Sequence, residues 1–226
     1  MSSIGIIIQA RMGSSRLPGK VLFKISDRPL LEHVVKRLDG IQGQVKVVVA
    51  TTTEVKDNEI ANYCERLNVI CFRGSENDVL ARYYECALQY NFDHIVRLTA
   101  DNPFTDLIEL KRLIEFHEIQ DNDYSHSFGQ MPIGVGAEVF SFSALERSHH
   151  EGHAPNHREH VNDYIEEQNS SFKIGHMKTP VLKNYPELRL TVDNDDDYQN
   201  ACHIAEQHPG RFVSTEEAIK ICMHSA

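Results

Sequence analysis

A chain of 226 residues is long enough to bury a sizeable core and fits one α/β domain. Its formal net charge of -10 and pI near 5.7 argue against nucleic acid or an anionic membrane surface as a partner. Five cysteines, odd in number and without a CxxC pair, fall largely in apolar patterns and read as buried thiols of a reducing compartment. The opening apolar run is too short and lacks the charged flank of a secretory signal, and nothing approaches a membrane span, so a cytoplasmic location is expected.

In chain order, the apolar run Ile4 to Ile8 predicts a strand that leads into Gln9–Lys20, QARMGSSRLPGK. This loop holds Gly13, Gly19, Ser14 and Ser15 together with the cations Arg11, Arg16 and Lys20. Glycines let backbone amides approach an anion, and arginine forks and a lysine point charge neutralise phosphate oxygens. A solvated basic turn would carry the same residues, but a loop at the carboxyl end of a strand favours a binding site. The spacing is neither that of a P-loop nor the GxGxxG of a dinucleotide fold.

Leu30, Leu31, Val34, Val35 and Leu38 then recur at helical spacing, and Val45 to Ala50 reads as a buried strand. Asp57 is expected to cap a helix carrying Ile60, Ala61, Cys64 and Leu67, followed by a strand at Val69 to Phe72. A helix over Asn77 to Tyr90, a strand over His94 to Thr99 and a helix through Leu107, Leu110, Leu113 and Ile114 continue the alternation. Strand–helix repeats of this kind imply right-handed βαβ units and a mostly parallel sheet. From Tyr124 to Tyr185 the rhythm breaks into strands at Ala137–Phe142 and Phe172–Met177 with a helix at Arg158–Gln168 between them. No linker composition marks this stretch, which reads as an elaboration of the same domain (1–226). The tail returns to a strand at Leu188–Val192 and a helix at Asp195–Gln207, and Ser214 with Glu217 forms a capping box for a last helix.

Two carboxylates follow strands, Asp101 in RLTADNP and Asp193 in RLTVDNDDD. Such residues often make Asx turns or helix caps, yet two of them at carboxyl ends of strands are able to converge on one Mg²⁺, which takes oxygen ligands and shares itself with phosphates. Ser75 to Asp78 suits a helix cap. Among thirteen histidines, His149, His150, His153, His157 and His160 lie in a Gly/Pro-containing stretch that reads as a solvated loop rather than a zinc site. No GxSxG elbow or nucleophile dyad is present.

QARMGSSRLPGK resembles the N-terminal signature of sugar-activating cytidylyltransferases, in the branch named for the spore coat polysaccharide protein SpsF and related to the CMP-ulosonate synthetases. RGSENDVLARY (73–83), the GxxxE of MPIGVGAEVF (131–140) and REHV (158–161) also resemble motifs of that family. The resemblance implies a three-layer, Rossmann-like (GT-A-like) nucleotidyltransferase fold and transfer of CMP from CTP to a sugar, either a nonulosonic acid or a related surface-polysaccharide sugar. It implies nucleotide contacts from Gln9, Ala10, Arg11, Gly13, Ser14, Arg16, Lys20, Arg73, Asp78 and Thr99, with Arg82 a weaker candidate. Arg11, Lys20 and Asp101 would be catalytic, and Asp101 with Asp193 would hold Mg²⁺. Glu138, Arg158, Glu159 and His160 would face the acceptor, and the irregular middle region would support a homodimer. Gly136 departs from the family pattern where an acidic residue is usual, and Ile133 where a polar one is frequent, which opens the identity of the acceptor. A sugar or polyol phosphate acceptor, another nucleoside triphosphate, a metal-dependent glycosyltransferase and a non-catalytic nucleotide-sugar binder are the alternatives.

Overall fold

The computed structural model describes residues 2–41 and 45–225. In chain order the elements are β1 (Ile4–Gln9), β2 (Lys24–Ile25), β3 (Arg28–Pro29), α1 (Leu30–Arg37), β4 (Val45–Thr52), α2 (Asn58–Leu67), β5 (Ile70–Gly74), α3 (Val79–Tyr90), β6 (His94–Thr99) and α4 (Leu107–Gln120). There follow β7 (Tyr124–His126), β8 (Glu138–Ser141), α5 (Phe142–Glu151), α6 (Pro155–Glu159), α7 (Asp163–Glu167), β9 (Ile174–His176), α8 (Asp195–Glu206) and α9 (Thr215–Ser225). The expected alternation is therefore present.

Seven strands form one sheet in the order β5-β4-β1-β6-β8-β7-β9, in which β8 alone runs against its neighbours. Period-two alternation divides the strand side chains between two faces. Ile6, Ile8, Val49, Val96 and Leu98 pack with α1, α2 and α4 on one face. Ile7, Val48, Ala50, Ile95 and Phe140 pack with α3, α5 and α7 on the other. The result is the expected three-layer, mostly parallel architecture. The crossovers from β1 through β4 to β5 lead one way, and β6 then lies on the opposite side of β1. That reversal puts the loops after β1 and β6 side by side at the switch point, where open α/β sheets bind ligands.

Local chemistry sets the helix ends. Asp78 accepts from the Ala81 amide and Asp106 from those of Ile108 and Glu109 at the starts of α3 and α4. Asn68, Asn91 and Asp121, in the left-handed region that asparagine and aspartate tolerate, close α2, α3 and α4. Ser214 and Glu217 make the capping box of α9 through Ser214 N to Glu217 Oε2 (2.9 Å) and Glu217 N to Ser214 Oγ (3.3 Å).

Four expectations are corrected. Leu188–Val192 is extended but forms only an isolated bridge, Ile133 to Arg189, because its neighbours are loops rather than a strand. The helix expected at Arg158–Gln168 is two short ones, α6 and α7, separated where His160 turns extended and Val161 enters the core. Asp57 caps nothing: it accepts from the Met12 amide (2.8 Å) and from Thr52, tying the loop after β1 to the end of β4. His149 and His150 belong to α5 rather than a solvated loop, and the His149 ring stacks on Tyr84 at 4.3 Å.

Candidate active site

The loop after β1 is shaped by its own backbone. Gly19 N and Ser14 N both donate to Met12 O (2.9 and 3.0 Å), and Ser14 Oγ accepts from Leu17 N. Gly19 has φ 76°, a conformation glycine takes without steric cost. The chain then enters a short 3₁₀ turn, Lys20–Leu22, whose first side chain points inward.

Lys20 is buried, and its ammonium donates to Asp101 Oδ2 (2.6 Å), Asp193 Oδ1 (3.0 Å) and Val192 O (2.8 Å). Two carboxylates 92 positions apart in sequence thus converge on a single cation. Thr99 Oγ1 donates to Asp101, while Arg16 and Arg189 reach Asp193 at 3.4 and 3.1 Å. The Val192 amide donates to Asp101 O (2.9 Å), locking the two acidic segments together. Asn194 caps α8, which packs in a third core cluster with α9, Leu17, Met131, Val135 and Val192, so Asp193 stands on a rigid support.

Two cavities meet at this pair. One, of about 220 Å³, is lined by Gln9, Arg11, Ser14, Ser15, Arg16, Lys20 and Thr99 together with both aspartates. The side-chain Oε1 of Gln9, a residue of this lining, is buried without a hydrogen-bond partner. The second, of about 430 Å³, shares Thr99, Asp101 and Asp193 and extends past Ser127, Phe128, Ile133, Gly134 and Pro186. Gly134 has φ 97°, and a Cβ there would lie 2.6 Å from the Thr191 amide nitrogen, so glycine lets this wall press on the Asp193 segment.

Other expected site residues are spent elsewhere. Arg73 donates all three guanidinium nitrogens to Thr52 O, Asn58 Oδ1 and Glu54 O, tying β5 to the segment after β4. Asp78 and Arg158, expected at the nucleotide and the acceptor respectively, bind each other: Arg158 Nε and Nη2 both donate to Asp78 Oδ2, at 2.8 and 2.5 Å, and Nη1 donates to the carbonyls of His149 and Gly152. Glu159 and His160 are exposed, and neither lines the two cavities. Glu138 is buried, paired with Arg97 opposite it in the β6–β8 ladder, and accepts from Tyr124 Oη at 2.7 Å, so it pins the strand register rather than facing a ligand. Burial would lower the Arg97 pKa, but the Glu138 charge, its hydrogen bond and the neighbouring Tyr83 and Tyr124 together outweigh it and hold the guanidinium above its ordinary range. Among the described residues, no three His, Cys, Asp or Glu side chains gather as a metal cluster. No described helix is long and apolar enough to cross a membrane.

Sequence reasoning missed the anchoring role of Asp57 and the walls of the larger cavity, Phe128 and Pro186. Only the departures at Ile133 and Gly136 signalled that this side is unusual.

A mostly parallel three-layer sheet with a basic glycine–serine loop and paired carboxylates at its switch point defines a nucleotidyltransferase. The solved structure of a cytidylyltransferase from Leptospira borgpetersenii superposes with a TM-score of 0.93 at 31% identity, covering 100% of this chain and 95% of that one. Residues 5–219 match the family described as cytidylyltransferase, and the chain belongs to that family. Relatives include the spore coat polysaccharide biosynthesis protein SpsF of Bacillus subtilis, 34% identical over 88% of this chain and 85% of that protein. An uncharacterised protein of Methanocaldococcus jannaschii is 40% identical over 88% of this chain and 81% of its own.

Proposed function

We propose that the whole chain acts as one catalytic domain that transfers CMP from CTP to a hydroxyl of a surface-polysaccharide sugar, with a nonulosonic acid the leading acceptor class. The observation that carries the reading is the convergence of Asp101 and Asp193 on one cation between the two cavities. The smaller cavity takes the triphosphate, whose charge Arg11, Arg16 and Lys20 neutralise, with Ser14 and Ser15 on the same lining. Gln9, at the carboxyl end of β1 and on the lining of the same cavity, would face the nucleotide.

The pair also fits a divalent ion. A single ammonium reaches both carboxylates, so one metal reaches both, and an all-oxygen set of two carboxylates is what Mg²⁺ takes when phosphates complete its shell. Bound there, Mg²⁺ would neutralise phosphate oxygens and acidify the acceptor hydroxyl. The acceptor oxygen bonds to the α-phosphorus as the bond to the β-phosphate breaks; pyrophosphate departs with the bonding pair, and the hydroxyl proton passes to water. No covalent enzyme intermediate is required, and this chain contributes positioning and charge. The reading takes the cytoplasm as the compartment, supported by cysteines that are all free among the described residues, and includes a homodimer.

Pyrophosphate release across CTP, UTP, GTP and ATP, with Mg²⁺ and a panel of ulosonic acids and sugar phosphates, tests the reading. CTP with an ulosonic acid is expected to turn over. Turnover confined to another nucleotide, or to none, defeats it.

A further inference from the structure

We infer that a cavity between α1, the start of α4 and Phe212 is a second anion site, which takes a phosphate-type dianion and stiffens the Asp101–Asp193 pair. The site itself is independent of the nucleotide transferred, whereas its effect on turnover rests on the proposed CMP transfer. The cavity has a volume of about 610 Å³, is walled by Arg28, Lys36, Arg37, Leu107 and Phe212, and shares no lining residue with either cavity of the active site. Arg37 is 8% exposed, and its Nε and Nη1 donate to the carbonyls of Pro103 (3.0 Å) and Val213 (2.9 Å). Both acceptors are neutral, and among the described residues Arg37 is in no ion pair. Burial lowers its pKa to about 10 against the pull of Asp106, whose carboxylate already holds Lys183 at 2.8 Å. A buried guanidinium without a counter-charge is costly, so an anion beside it is favoured.

The surroundings add positive charge. Lys111 donates to the carbonyl of Gly40 (2.9 Å), another residue of the lining, and among the described residues it too is in no ion pair. Arg28 meets Asp27 at 3.7 Å and Glu32 at 3.9 Å, and Lys36 meets Asp39 at 3.6 Å, long pairs open to solvent that are worth little. Glu32 also accepts from Tyr63 Oη, which takes up part of its charge. These four cations against three carboxylates leave a local positive excess in a chain of net charge -10. The Phe212 ring has the guanidinium carbons of Arg37 and Arg28 at 5.1 and 5.8 Å from its centroid, which orients both forks before a ligand arrives. Such forks beside an ammonium suit phosphate oxygens. Arg37 also links the cavity to the reacting centre. Pro103 lies two residues beyond Asp101, and Val213 leads into α9, which packs with α8 behind Asp193. An anion that neutralises Arg37 holds its guanidinium in place and with it both acidic segments.

The chain has no tryptophan, so Phe212→Trp puts a single fluorescent reporter on the cavity wall. Inorganic phosphate and ribose 5-phosphate are titrated at constant ionic strength into this protein, and into the same protein carrying Arg28→Gln and Lys36→Gln, with circular dichroism confirming the fold. A saturable emission change is expected, and the charge-deleted protein is expected to need at least about tenfold more of the probe. The probe that saturates at lower concentration tells a free ion from a phosphate-bearing metabolite. In the wild type that probe is expected to raise kcat for pyrophosphate release from CTP about fivefold. No saturable change, or equal affinity in the charge-deleted protein, overturns the site. A kcat that stays level or falls, with or without a rise in the KM for CTP, overturns the coupling. A saturating reporter in a protein that releases no pyrophosphate from CTP with any acceptor defeats the CMP reading and leaves the site standing.

Discussion

Lys20 is the residue on which the site's electrostatics turn, because its buried ammonium keeps two carboxylates facing one another. Lys20→Met keeps most of the side-chain volume and removes that charge, leaving Asp101 and Asp193 opposed. The expected cost is about 1–3 kcal/mol of stability and roughly 10²- to 10³-fold in kcat. Mg²⁺ is expected to raise the melting temperature of Lys20→Met more than that of the wild type, since the ion then replaces a missing charge. An equal shift in both proteins would separate the lysine from the carboxylate pair. A second residue-scale prediction concerns His117, whose ring nitrogens meet Ser125 Oγ and His94 Nδ1. Burial, aided by His94, lowers its pKa to about 3. The folded chain thus stays neutral there while the unfolded chain binds a proton below about 6.5. Stability is full above that value and falls with pH toward 3, by up to about 1.4 kcal/mol per unit. His33 and His126, lowered first of all by burial, add in the same direction. Urea midpoints at pH 7 and 5.5 should differ less for His117→Gln than for the wild type.

Among the elements, the clasp between α6 and the start of α3 separates a structural role from a substrate contact. Arg158→Ala frees Asp78 and is expected to cost about 1–3 kcal/mol in denaturant unfolding, with the acceptor KM within twofold of the wild type. A large rise in that KM without loss of stability would return Arg158 to the acceptor site. The contrast shows what was legible in the sequence. Alternating apolar runs gave the strands and helices, and the loop from Gln9 to Lys20 marked a wall of the smaller cavity because composition and position coincide there. Motif membership could not say where a side chain points. Arg73, Asp78, Glu138 and Arg158 carry family-like residues, yet their partners come from elements distant in sequence, and those pairings consume their donors and acceptors. Leu188–Val192 looked like a strand because its apolar alternation is real, but no strand lies beside it to complete a ladder. The cavity wall at Phe128 was hidden for a related reason, since only the fold sets it against Gly136.

Across the whole molecule, a chain of net charge -10 collects Arg11, Arg16 and Lys20 at the switch point beyond the carboxyl ends of the paired strands β1 and β6. The general field repels a triphosphate, so these three local cations must overcome it. The switch point supplies the geometry, and the C-terminal helices supply the stiffness that holds Asp193 against Asp101. Pyrophosphate release from CTP with a turned-over acceptor and Mg²⁺, compared among wild type, Asp101→Asn and Asp193→Asn, tests this arrangement most directly. Each isosteric change should lower kcat at least about 100-fold with an unchanged circular dichroism spectrum. Turnover near the wild-type rate in either variant would contradict the claim that the two carboxylates act on one cation at the reacting phosphate.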